Sequence, residues 1–179
     1  AGMAPWVPSL RAAGATPPPL GRRAGDWTSP GLASADDGDA KFQKTQGLGI
    51  PVQELLAGSG PSIAAGDEVV LDYVLRRSNG YFIYGTVQGV SFQPLSVPTE
   101  PLRLTVGDGK AIEGLDDVLM GMRRGGKRRA LVPPEHGYAS DPSSLLPQPP
   151  TFATKRQLLN HAKEPLLFEV QVLKVNKRA

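Results

Sequence analysis

Cysteine is absent from this chain of 179 residues. That excludes a disulfide framework, a thiolate metal centre and a cysteine nucleophile, and it leaves the redox compartment open. Histidine is scarce: His136 and His161 lie far apart and form no HExxH-type pair, which argues against a zinc hydrolase. No cofactor site is expected. No apolar run reaches the roughly 18 residues that a membrane helix requires. Neither sign of charge dominates, for the formal net charge is +3, and nothing in that balance calls for a nucleic-acid partner. The chain starts at Ala1 with no basic-then-apolar leader; a removed targeting segment and an arbitrary start both account for this. Arg22-Arg23 has no apolar stretch behind it and reads as two solvated arginines, not a twin-arginine signal. Apolar material is not lacking. With 40% hydrophobic residues, the chain has enough for one ordinary domain plus an extension.

Residues 1–46 differ from the rest. Proline and glycine recur through them (Pro5, Pro8, Pro17-Pro18-Pro19, Pro30, Gly14, Gly21, Gly25) and no helical or strand period runs through. Such a segment is expected to be extended or disordered unless a partner holds it, with a polyproline stretch at the three prolines. The only two tryptophans, Trp6 and Trp27, sit in it. They either dock on the domain that follows or anchor the extension on a partner, a role in which aromatic residues dominate.

Periodicity begins after Gly60-Pro61 and defines a second unit, residues 47–179. Val69, Leu71, Tyr73 and Leu75 alternate with their neighbours as a strand does, and the Ser78-Asn79-Gly80 turn returns the chain as a second strand from Tyr81 to Val87. Leu102, Leu104 and Val106 form a third. The period then changes: Leu115, Val118, Leu119 and Met122 fall on one face of a short helix. A basic strand follows, Lys127 to Val132, and the last strand runs from Leu166 to Val175. The spacing therefore predicts an α+β fold with an antiparallel sheet of five to six strands around one short helix. An insertion at 140–165 interrupts it. Its first part is rich in proline (Pro142, Pro147, Pro149, Pro150), and Thr154 to Ala162 is helix-compatible with Leu158 and Leu159 as its apolar contact. Connections this long are more often functional than passive.

Three other clusters are read as structural. In the run Lys127-Arg128-Arg129 the middle residue points opposite to the others, so solvated strand faces are expected rather than one anion-binding patch. Asp116-Asp117 lacks calcium-loop spacing and is assigned to helix surface. Gly107-x-Gly109 lacks the third glycine and the strand–helix context of a dinucleotide site.

The order of motifs resembles the FKBP-type peptidyl-prolyl isomerases. The opening Gly58-Ser-Gly-Pro-Ser-Ile-Ala-Ala-Gly-Asp-Glu-Val69 is similar to the lead into that family's first core strand. Val106-Gly-Asp-Gly-Lys-Ala-Ile-Glu-Gly-Leu115, Gly121 to Pro134, Gly137-Tyr138 and Leu167-Phe168-Glu169-Val170 follow in the family's order. The resemblance spans about 47–177, apart from the insertion. It implies a pocket of Tyr73, Phe82, Ile112, Tyr138 and Phe168, in which the Tyr138 hydroxyl and the Ile112 N–H bond a ligand's carbonyls. Ile83, Leu102, Ala111 and Leu115 would line it, with Ile83 where the family usually has Asp and Leu115 where it has a Trp floor. Ser78-Asn-Gly-Tyr-Phe-Ile-Tyr-Gly85 and Lys163 to Glu169 look most like the divergent FKBP-like proteins of plant and algal chloroplasts, many of them in the thylakoid lumen and associated with building photosynthetic complexes.

Two readings follow. In one, the protein isomerises exposed X-Pro bonds of folding clients. In the other, it binds proline-containing segments and assists folding or assembly with weak or no isomerase activity, meeting a larger complex, photosynthetic by the resemblance, through residues 1–45 and 140–165. The Asp and Trp departures and the insertion favour the second.

Overall fold

The computed structural model describes residues 42–88 and 93–179. Seven strands form one antiparallel sheet: β1 (Phe42–Lys44), β2 (Pro51–Leu56), β3 (Glu68–Arg77), β4 (Phe82–Gly85), β5 (Leu102–Thr105), β6 (Lys127–Val132) and β7 (Leu166–Asn176). Two helices accompany them, α1 (Glu113–Leu119) and α2 (Phe152–His161), with a 3₁₀ turn at Pro134–His136. The alternating segments are where the sequence puts them. The sheet exceeds expectation by β1 and β2, which carry no clean alternation, and β1 lies in the stretch assigned to the extension. Trp6 and Trp27 lie outside the described residues.

The strand order is β1-β2-β6-β7-β3-β4, and β5 also pairs with β3. One edge of β3 is taken whole by β7, while the other is shared: Glu68–Leu71 pair with β5, and Val74–Arg76 pair with β4. Between those two ladders lie Asp72 and Tyr73. There Thr86 closes the gap, its Oγ1 accepting from the Tyr73 N–H at 3.0 Å and donating to Asp72 Oδ1 at 2.9 Å. The Thr86 N–H also donates to the Tyr73 carbonyl at 3.0 Å, so the unpaired stretch is satisfied by one residue's side chain and main chain, as a buried segment requires.

Helix α1 fills the concave side. Leu115, Val118 and Leu119 are fully buried in one cluster with Leu71, Leu75, Phe168, Val170 and Val172, as helical spacing dictates. Gly114 lets the helix approach β6 closely, because a Cβ there would lie 2.5 Å from Val132 Cγ1 and 2.9 Å from the His136 carbonyl oxygen. Arg128 caps the far end of α1, donating to the Val118 carbonyl at 2.7 Å and pairing with Glu54 at 2.6 Å. A guanidinium against the last carbonyls of a helix also meets the negative end of its dipole.

The expected solvated faces of the basic strand are not what forms. Lys127 and Arg129 are 4% and 2% exposed, and both meet the buried carboxylate of Glu169 on β7, at 3.1 and 3.5 Å. Opposite charges drawn in together offset the cost of taking each from water. Asp116, assigned to helix surface, is likewise half-buried, and withdrawal from water raises its carboxyl to about 6.

Within the insertion, α2 is opened by Thr151, whose hydroxyl accepts from the Thr154 N–H. Leu158 is its buried contact, whereas Leu159, expected beside it, is 48% exposed: adjacent helical residues point about 100° apart. Glu164 ties the end of α2 to β3 through Arg77 at 3.1 Å. The Leu146–Pro147 peptide bond is cis.

The C-terminus is held by Asp67. Its carboxylate accepts from the Lys177 ammonium, from the Arg178 N–H at 3.0 Å and from the Ala64 N–H at 2.9 Å. The Lys177 hydrogen bond, with help from the two backbone donors, lowers its pKa from 3.8 to about 2. A lowered folded-state pKa stabilises the protein above the unfolded value and loses that contribution as pH falls through the folded one. We expect Asp67→Asn to lower the urea midpoint most above about pH 4, and the gap to wild type to close as pH falls toward about 2. Denaturation curves at stepped pH check this.

Candidate functional site

Four aromatic rings form a row across the concave side of the sheet. Tyr84 meets Tyr73 edge-on at 5.8 Å between centroids, Tyr73 lies 6.3 Å from Phe168, and Phe168 stacks with Tyr138 at 6.5 Å. Their positions follow from the strands. Tyr73 and Phe168 are inward residues of paired β3 and β7, and Tyr138 follows the turn that the Pro133-Pro134 pair starts at the end of β6. Tyr73, Tyr138 and Phe168 are 2%, 0% and 0% exposed. Burial pushes the Tyr138 hydroxyl well above its ordinary pKa, so it stays a protonated donor. Beside the rings, Ile112 caps α1, where a backbone N–H has no partner inside the helix.

Both donors are engaged by the insertion. The Tyr138 hydroxyl donates to the Pro147 carbonyl at 2.5 Å, and the Ile112 N–H donates to the Leu146 carbonyl at 2.9 Å. The Leu146 N–H in turn donates to the Lys110 carbonyl at 2.8 Å, so Leu146 lies beside Ala111 as a one-residue parallel bridge. Pro147 and Pro149 are buried, and Leu145 and Leu146 pack on the main apolar cluster. A prolyl segment of the chain itself therefore fills the seat between the Tyr138 hydroxyl and the start of α1. A cleft of about 240 Å³ remains next to it, lined by Tyr73, Tyr84, Pro98, Leu102, Gln148 and Pro150.

Of the nine pocket residues named from sequence, Tyr73, Ile112, Tyr138, Phe168, Ile83, Ala111 and Leu115 all lie buried in the one main cluster, and Leu102 packs against it. Phe82 does not. It packs with Val74 and Val87 in a separate cluster, under the Arg76 guanidinium at 5.6 Å. The reason is a bulge. Leu75 pairs with Tyr84 and Arg76 with Phe82, so Ile83 is an extra residue that reverses which side chains face inward. Tyr84 takes the inward place, 4% exposed, with its hydroxyl donating to the Pro98 carbonyl at 2.7 Å. Sequence reading missed Tyr84, although an aromatic two residues beyond Phe82 was the available signal. It also missed Leu146 and Pro147 as occupants. Among the described residues, no three acidic or histidine side chains come together to hold a metal.

The family model for FKBP-type peptidyl-prolyl cis-trans isomerases matches residues 60–173. The chain belongs to that family. It is 46% identical over 127 residues to the peptidyl-prolyl cis-trans isomerase FKBP16-1, chloroplastic, of Arabidopsis thaliana, an alignment covering 71% of this chain and 58% of the relative. To the same plant's FKBP19, chloroplastic, it is 32% identical over 167 residues, covering 82% of this chain and 62% of the relative. The chain thus spans about three-fifths of the length of these two relatives. Among solved structures, FkpA from Escherichia coli superposes with a TM-score of 0.53 at 25% identity, covering 77% of this chain and 53% of that one.

The Tyr138 hydroxyl and the Ile112 N–H are each aimed at a carbonyl of the inserted loop. Removing the hydroxyl alone leaves the Pro147 carbonyl buried without its donor. We expect Tyr138→Phe to cost about 1–3 kcal/mol of stability, read from the urea midpoint at constant slope.

Proposed function

We propose that this FKBP-family protein binds proline-containing segments of other proteins and assists their folding or assembly, with weak or no isomerase activity. Rotation about a prolyl amide meets a barrier because the C–N bond has double-bond character, and a catalyst must favour the twisted amide over either planar form. An apolar, aromatic-lined seat does this by withdrawing water from the amide while donors hold the flanking carbonyls. Tyr73, Ile112, Tyr138 and Phe168 supply such a seat, and Leu102 and Ala111 line its approach. The observation that carries the reading is that Leu146 and Pro147 already occupy both donors. A client has to compete with a tethered segment at high local concentration. Leu115 in place of a Trp floor, and Ile83 in place of an Asp, further reduce what the seat offers a twisted amide. The intact donor pair and the open cleft beside it favour the alternative, a fully active isomerase.

The chloroplast is the proposed compartment, supported by the two chloroplastic relatives. The thylakoid lumen and a photosynthetic assembly partner rest on resemblance. Residues 1–45, with Trp6 and Trp27, and the insertion at 140–165 are the proposed partner-binding segments.

A protease-coupled assay on a Leu-Pro test peptide measures the first claim. The expected rate is within a few-fold of the uncatalysed one, and a catalytic constant typical of active isomerases would replace this reading by its alternative. Pull-down from chloroplast extract with and without residues 1–45 checks the second. Partner recovery should fall when they are removed, and equal recovery would discharge the extension from that role.

A further inference from the structure

We propose that residues 145–150 act as a displaceable internal ligand: the strap closes the prolyl seat in the free protein, and a client's proline-containing segment takes its place. This rests on the reading of the seat as a prolyl-binding site. The strap is folded on itself upstream and anchored to the domain downstream, and between the two it is held to the seat by main-chain bonds. Upstream, Asp141 accepts from the Ser143 hydroxyl at 3.1 Å and from the Ser144 hydroxyl, closing a local turn. Downstream, α2 is anchored by buried Leu158 and Ala162 and by the Glu164–Arg77 ion pair. Between these anchors, the hydrogen bonds to the seat come from main-chain atoms of the strap: the Leu146 N–H and carbonyl, and the Pro147 carbonyl. Among the described residues, Gln148 bonds back into its own loop, donating to the Leu145 carbonyl at 2.7 Å and the Pro142 carbonyl at 3.1 Å.

That division has a physical consequence. Main-chain bonds are available to any extended segment, so a client can replace all three one for one and leave no buried donor unpaired. The anchors need not move, because only the middle of the loop has to leave. The cleft lined by Tyr84, Pro98, Leu102, Gln148 and Pro150 lies along the strap's edge and gives an incoming chain a first foothold. Affinity measured on the free protein is then reduced by the fraction of time the seat is open. The strap sets a threshold that only tightly binding or locally concentrated clients cross.

The probe is a fluorescein-labelled peptide with the sequence of residues 144–150, Ser-Leu-Leu-Pro-Gln-Pro-Pro, titrated by anisotropy into the full chain and into the double variant Leu146→Ala/Pro147→Ala. The variant is expected to bind at least about tenfold more tightly than wild type, as an opened seat should. A control peptide with Ala-Ala in place of its Leu-Pro pair should bind neither. Equal affinities, or no binding by either protein, would overturn the proposal. Should the variant fail to fold, amide hydrogen exchange on wild type decides. The Leu146 amide should be protected alone and lose protection at saturating peptide, while the Ile112 amide stays protected. A Leu146 amide indifferent to peptide would also sink it. Neither readout involves turnover, so rapid isomerisation by wild type would remove the low-activity reading while leaving displacement to be judged on binding alone.

Discussion

Backbone groups inside a sheet must be bonded, and one edge of β3 has two short strands to do it. β5 takes the first half and β4 the second. The step between them is closed by Thr86, and it is there that Tyr73 turns inward with its N–H held by that side chain. A single continuous partner strand would have sealed the edge. Because the duty is split, an aromatic residue of the central strand lies at a break in the sheet, with Tyr84 and Leu102 arriving from either side to line a cleft. Phe168 and Tyr138 continue the row inward from β7 and the turn after β6.

A second satisfaction problem lies at the other end of that row. A fully buried phenol needs an acceptor, and a helix start needs partners for its first N–H groups. The inserted loop answers both with the carbonyls of Pro147 and Leu146. Packing points the same way. Close-packed interiors do not leave the volume of an indole empty, and where the family resemblance expects Trp the floor is Leu115. Leu145 and Leu146 pack on the cluster that contains it.

Much of this fold was legible in the chain. Alternation marked β3, β6 and β7 to within a residue or so, and the change of period marked α1, because one-sided burial imposes those periods on any element of this kind. The motif order identified the family, and seven of the nine residues named from it lie together in the main cluster. Two things in the sheet were not legible. Ile83 is an extra residue in a ladder, and bulges leave no periodic trace; Phe82 was therefore placed inward and Tyr84 overlooked. Lys127 and Arg129 read as solvated because charge is usually outside. Their burial depends on Glu169, which lies some forty residues further on and meets them only across the β6–β7 ladder.

The sequence alone determined the segments of β3 to β7 and of α1, and its motif order determined the family, since periodicity and motif order are properties of the chain. Only the tertiary structure decided the inward face of β4, the pairing of the buried charges and the occupant of the seat. Each of those depends on which distant atoms meet, and in particular on whether the carbonyls of a proline-rich loop come within reach of a buried hydroxyl and an unpaired N–H. No local pattern carries that information.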